Sequence, residues 1–140
     1  MSQLDARQQE IVDEFALLGD WTERYQYLID LGRQLPLLDA AEQRADTLVD
    51  GCQSQVWLLA MGDASALHFR AGSDSAIVAG LVALLLRTYD GLSAAQILAT
   101  PPAFVAALGL DRHLSPTRNS GLSALYQRIQ QSASAALALR

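Results

Sequence analysis

The stretch "SQVWLLAMGDASALHFRAG", residues 54–72, decides the fold class. Its first part, residues 54–61, is rich in aliphatic and aromatic side chains that suit a pleated, half-buried surface. Residues 62–65, "GDAS", carry turn chemistry, and residues 66–72 resume as a returning strand. This spacing predicts an antiparallel hairpin. The sequence on both sides changes period to that of helices.

Upstream, Ile11, Phe15 and Leu18 recur at helical spacing within residues 5–18, and Gly19 stops that run. Asp20 and Glu23 have capping-box spacing and open a second helix carrying Tyr25, Leu28, Ile29 and Leu35, closed at Pro36. Residues 37–50 read as turn and loop. Downstream, residues 73–91 form a helix apolar on nearly every face, hence buried, capped by Ser73 or Asp74 and ended by Gly91. Two short helices, "LSAAQIL" and "PAFVAALGL", meet at Pro101-Pro102. A last helix opens with Ser115 at its start and Pro116 just inside, and carries Leu122, Leu125, Tyr126 and Ile129 as its apolar stripe. The terminal "SASAALALR" reads as the end of that helix. The order predicts a single α+β domain over residues 1–140, a small antiparallel sheet of about three strands packed with several helices.

Composition narrows the chemistry. The 140 residues carry a net charge of −5, and every basic residue is arginine. Without lysine there is no Schiff base to pyridoxal phosphate, no P-loop lysine and no lysine general base. An acidic chain with no basic run does not suit nucleic acid. The longest apolar run, residues 76–86, falls short of the ~20 residues a membrane span needs, and the first ten residues are polar. A cytoplasmic protein is expected. It has one cysteine, so an internal disulfide is impossible, and its thiol suits a reducing compartment.

That cysteine, Cys52, sits in "VDGCQSQVWLL", residues 49–59, at the mouth of the hairpin. Free cysteine is often a buried small hydrophobe. Gly51 before it permits unusual backbone, and Gln53, Ser54 and Gln55 after it are poor neighbours for a sealed core. Metal binding lacks ligand spacing: one cysteine and two scattered histidines, His68 and His113, make no motif, and no metal is expected. Hydrolysis needs a histidine base, and neither histidine is placed diagnostically. Sulfur transfer needs only an accessible thiolate and a donor brought close. Arg118, near a helix start, could favour the thiolate.

Four segments together resemble the SufE family: "GDWTERYQYLIDLGRQLP" (19–36), "VDGCQSQVWLL" (49–59), "GSDSAIVAGLVALL" (72–85) and "HLSPTRNSGL" (113–122). They lie in order across residues 8 to 130. The resemblance implies a SufE/NifU-like α+β fold with the cysteine on a loop at one end of the sheet. It implies that Cys52 takes persulfide sulfur from a pyridoxal-phosphate-dependent cysteine desulfurase, SufS-like or CsdA-like. Cys52 would then stimulate that enzyme and pass the sulfur to an iron–sulfur scaffold or another acceptor. The cofactor would belong to the desulfurase, with none on this chain, which would act as an accessory protein rather than a stand-alone enzyme. Gly51 and Gln53 match the loop motif, Asp74 matches the acid of "GSDSA", and Arg118 matches the arginine of "HLSPTR". All four are expected to position the loop or contact the partner. Where relatives often carry a basic residue before the glycine of the buried helix, this chain has Ala79. A homodimer is compatible with the apolar helices.

Two other readings follow from the same residues. One is a docking regulator of a desulfurase that works without its thiol. The other is a cysteine hydrolase using His68 or His113 as base.

Overall fold

The structure is a computed structural model, and it describes residues 5–36, 38–51 and 54–139. Cys52 and Gln53, two of the expected site residues, lie outside the described residues. Two helices come first, α1 (Ala6–Ala16) and α2 (Trp21–Arg33), followed by the hairpin β1 (Val56–Asp63) and β2 (Ala66–Ser73). Then come α3 (Ala76–Tyr89), α4 (Ala94–Ala99), α5 (Phe104–Leu108), α6 (Leu110–His113) and α7 (Pro116–Ala138). The α+β class expected from the sequence is the class observed.

The hairpin pairs Val56 opposite Ser73 through to Asp63 opposite Ala66. Alternation sends Val56, Leu58, Leu67, Phe69 and Ala71 inward, all buried. Where about three strands were expected, two strands and one bridge are found among the described residues. Leu48 bridges Trp57, flanked by bonds from Val49 N–H to Val56 O and from Leu58 N–H to Thr47 O, both 2.8 Å. This short row covers the start of the β1 edge. The β2 edge is closed by the turn after α3: Leu67 N–H reaches Leu92 O at 2.9 Å, and the Asp90 carboxylate accepts Phe69 N–H at 2.7 Å. Loop backbone and the Asp90 side chain thus satisfy groups that a third strand would have satisfied.

α3 is the central helix. Residues 79–85 are buried without a break, as its all-round apolar pattern predicts. α2 crosses it at close range. A Cβ added at Gly80 would lie 2.1 Å from Leu28 O, so only glycine fits there. Ala79 is buried in the same crossing, beside Gly32.

α1 is tied to the rest through polar side chains. Arg7 reaches the last carbonyls of α3, donating to Asp90 O at 2.6 Å. Gln8 is fully buried: its amide donates to Pro101 O at 3.1 Å and its oxygen accepts Phe104 N–H at 2.9 Å. The Pro101-Pro102 junction is therefore held by a glutamine of the first helix. Glu14 takes both ends of the Arg87 guanidinium and the Tyr27 hydroxyl, joining α1, α2 and α3.

Some expected boundaries move. The α3 cap is Ser75, whose hydroxyl accepts Val78 N–H, rather than Ser73 or Asp74. Residues 102–110 split at Gly109 into α5 and α6. The Asp20 cap holds, but Glu23 reaches back to Gly19 N–H rather than to Asp20. No helix among the described residues is long and apolar enough to cross a membrane.

Candidate functional site

The described residues on either side of the cysteine are Gly51 and Ser54. Gly51 has φ +90°, a conformation that L side chains rarely adopt. A Cβ there would also come within 3.3 Å of Ala124 Cβ on α7, so the loop approaches that helix closely. Ser54 opens onto a cavity of about 380 Å³ enclosed by the start of β1, the start of α3 and the first turns of α7.

This cavity has two kinds of wall. The buried part is apolar, made by Val56, Leu81, Leu122 and Leu125. The more exposed part is polar, made by Ser54, Ser75, Ser115, Thr117 and Arg118. Ser75 and Ser115 are the N-caps of α3 and α7, so both helices begin at the cavity wall. Arg118 is the one charged side chain in the described lining, and no carboxylate is present in it. A helix start and a guanidinium both favour an anion nearby.

Asp74 acts on the loop from beside the cavity. Its Oδ1 accepts Gln55 N–H at 3.0 Å, and its own N–H donates to Gln55 O at 3.2 Å. The residue is thereby fastened to the chain leaving the cysteine, and the cap of α3 falls to its neighbour Ser75. The Arg118 backbone N–H is bonded to Ser115 Oγ at 3.2 Å, which sets the arginine in the first turn of α7.

The segment leading into α7 is held from α2. The His113 ring stacks on Trp21 with centroids 3.8 Å apart, and its Nδ1 lies 2.9 Å from Gly109 O. Tyr25 donates its hydroxyl to His113 O, and the Asn119 amide donates to Asp111 O and Leu114 O. These contacts fix the turn that presents Ser115 and Arg118.

Neither histidine lines the cavity. His68 pairs with Met61, five rows along the ladder from Val56, roughly 17 Å at strand rise. His113 is engaged with Trp21 and Gly109. Among the described residues no group of histidine, cysteine and acid side chains is arranged to hold a metal.

Sequence reasoning singled out Gly51, Asp74 and Arg118, and the structure brings them around one loop and one cavity. It did not single out Ser54, Ser75 or Thr117 as cavity walls. Serines at two helix starts are the signal available for two of the walls, but only the packing shows that those starts converge.

Residues 9–133 match the family model for the SufE Fe–S metabolism associated domain. The chain belongs to the SufE family. Two curated SufE-like relatives, both uncharacterized, come from Rhizobium meliloti (strain 1021) and Rhizobium etli. Each is 40% identical over 129 residues, covering 89% of this chain. The alignments span 92% and 87% of those relatives. The solution structure of a hypothetical protein from Thermus thermophilus superposes with a TM-score of 0.75. It covers 94% of this chain and 96% of its own at 23% identity, a likeness of fold. Membership in the SufE family places the chain in iron–sulfur metabolism and implies, in general, a cysteine desulfurase as partner.

Proposed function

We propose that this SufE-family chain is a sulfur acceptor that uses Cys52 as its nucleophile. The Cys52 thiolate attacks the outer sulfur of the desulfurase persulfide. A new S–S bond forms on Cys52, the old one breaks, and the electron pair leaves with the desulfurase thiolate. The desulfurase is freed for another turnover, and Cys52 carries the sulfur to the cluster-assembly machinery.

The observation that carries this reading is the cavity beside Ser54. It offers an apolar recess next to a polar wall with one guanidinium and two helix starts. An unprotected persulfide is readily reduced or oxidised, so a carrier gains from a sheltered site. A thiol at its ordinary pKa of about 8.5 is only a few per cent ionised at neutral pH, and positive groups nearby raise that fraction. Gly51 and the Asp74–Gln55 clasp support a loop-positioning role on either side of the cysteine. Gln53 and Arg118 are proposed for the same role or for partner contact.

The test is desulfurase turnover on L-cysteine with no added thiol acceptor. The native chain is expected to raise it, and Cys52→Ser is expected to bind the desulfurase without raising it. Full activation by Cys52→Ser would contradict the acceptor role and favour docking alone.

A further inference from the structure

The chain on both sides of Cys52 is anchored. Downstream, Asp74 fastens Gln55. Upstream, the anchor comes from α7: the Arg128 guanidinium donates to Leu48 O at 3.1 Å and to Asp46 O. Arg128 is the only charged residue between positions 119 and 139. It holds backbone carbonyls, while the Asp46 carboxylate pairs with Arg44 at 2.9 Å. The same arm meets the sheet, where Leu48 bridges Trp57 and Val49 N–H reaches Val56 O. Ala124 stands one turn before Arg128 on the same face of α7, and Gly51 lies against it. The arm entering the cysteine loop therefore follows one face of α7, from Arg128 to Ala124.

The loop between the anchors is short. Cys52 is three residues from Val49 and three from Gln55. An extended chain advances at most ~3.6 Å per residue, so Cys52 stays within about 11 Å of either anchor. A slip of one residue's length at the upstream anchor is roughly a third of that reach.

We propose that Arg128 is a positioning residue for Cys52. By holding the Asp46 and Leu48 carbonyls, it fixes the point from which the loop meets a docked desulfurase. The inference rests on the acceptor role proposed above. Transfer between two sulfur atoms needs close alignment, and a loosened anchor spreads the thiol over many poses. Arg128 acts through the backbone and takes no part in the chemistry.

The experiment follows sulfur loading by intact mass, with a cysteine desulfurase, L-cysteine and a concentration series of the chain. Arg128→Met removes both bonds and keeps an apolar stem. Its maximal loading rate is expected to fall about fivefold or more, with the half-saturating concentration within about twofold. Arg128→Lys keeps the charge and a donor, and is expected to lie between. Arg7→Met is the control for stability. It breaks the same kind of bond, Arg7 to Asp90 O at 2.6 Å, where Asp90 also holds Phe69. Phe69 faces Ala60, four rows along the ladder from Val56, roughly 13 Å at strand rise. Thermal melts rank the variants, and Arg7→Met is expected to load at the native rate. A native loading rate in Arg128→Met, or equal slowing in Arg7→Met, overturns the proposal.

If the native chain takes no sulfur, the acceptor role fails and the anchor is judged by amide exchange. In Arg128→Met the Val49 and Leu58 amides, which bond across the bridge, are expected to exchange about fivefold faster or more. The Phe69 amide, held by Asp90, is expected to stay within about twofold. Unchanged exchange at Val49 and Leu58 overturns the anchor.

Discussion

Asp74 and Gln55 hold each other by two hydrogen bonds running in opposite directions. The Asp74 carboxylate accepts from the Gln55 amide, and the Asp74 amide donates to the Gln55 carbonyl. One residue at the mouth of α3 thereby fixes the backbone three positions beyond Cys52. Asp74→Ala removes one bond and leaves the other. It is expected to cost about 1 kcal/mol and to speed amide exchange at Gln55 about fivefold or more. Asp74→Asn, which keeps an acceptor oxygen, should sit between the two. Hydrogen exchange by NMR reads both variants, and an unchanged Gln55 rate in Asp74→Ala would contradict the clasp.

Gly51 should resist substitution for two reasons, its φ of +90° and the 3.3 Å approach to Ala124. Gly51→Ala is expected to destabilise by about 1–2 kcal/mol and to slow sulfur acceptance by Cys52. A urea melt and a loading time course measure the two effects.

The crossing of α2 and α3 depends on a backbone that nearly touches. Gly80→Ala places a methyl 2.1 Å from Leu28 O and is expected to cost about 3 kcal/mol or more. Gly19→Ala meets only the movable end of Glu23 at 3.0 Å and should cost far less. Comparing the urea midpoints of the two variants tests whether contact with the fixed backbone of α2, rather than the added methyl itself, sets the penalty.

Glu14 links stability to pH. Its hydrogen bond to Arg87 holds its carboxyl below the ordinary value of 4.5, against an opposing cost of burial. The Tyr27 hydroxyl, which donates to the same carboxylate, is pushed upward by burial and then by that bond. A lowered folded-state pKa contributes stability that is complete above 4.5 and is lost as pH falls through the folded value. Glu14→Gln should therefore be less stable than the native chain at pH 7, by about 1 kcal/mol, a figure reduced for partial exposure. The gap should narrow toward pH 3. Urea melts at the two pH values measure it, and a gap independent of pH would contradict the ion pair.

The sequence made some of this legible for physical reasons that can be named. Residues 54–72 reveal a hairpin because alternation and turn chemistry agree, and α3 reveals burial because every face is apolar. The cap of α3 is ambiguous in sequence, since Ser73, Asp74 and Ser75 all suit an N-cap. Only the contact with Gln55, nineteen residues away, assigns Asp74 elsewhere. In place of the expected third strand, Leu48 makes a single bridge on the β1 edge while Asp90 and Leu92 close the β2 edge, long-range contacts invisible to periodicity. Gln8 gives no hint in sequence that it is buried, since its partners are backbone groups near Pro101. For the site, Gly51, Asp74 and Arg118 stand out through residue type and motif. The serine walls of the cavity depend on two helices starting at one place.

The most direct measurement is the intact mass of the chain after incubation with an active cysteine desulfurase and L-cysteine, beside Cys52→Ser. The native chain is expected to gain the mass of about one sulfur atom, reversed by a thiol reductant, while the variant gains none. No gain in the native chain, or an equal gain in Cys52→Ser, would contradict Cys52 as the sulfur acceptor.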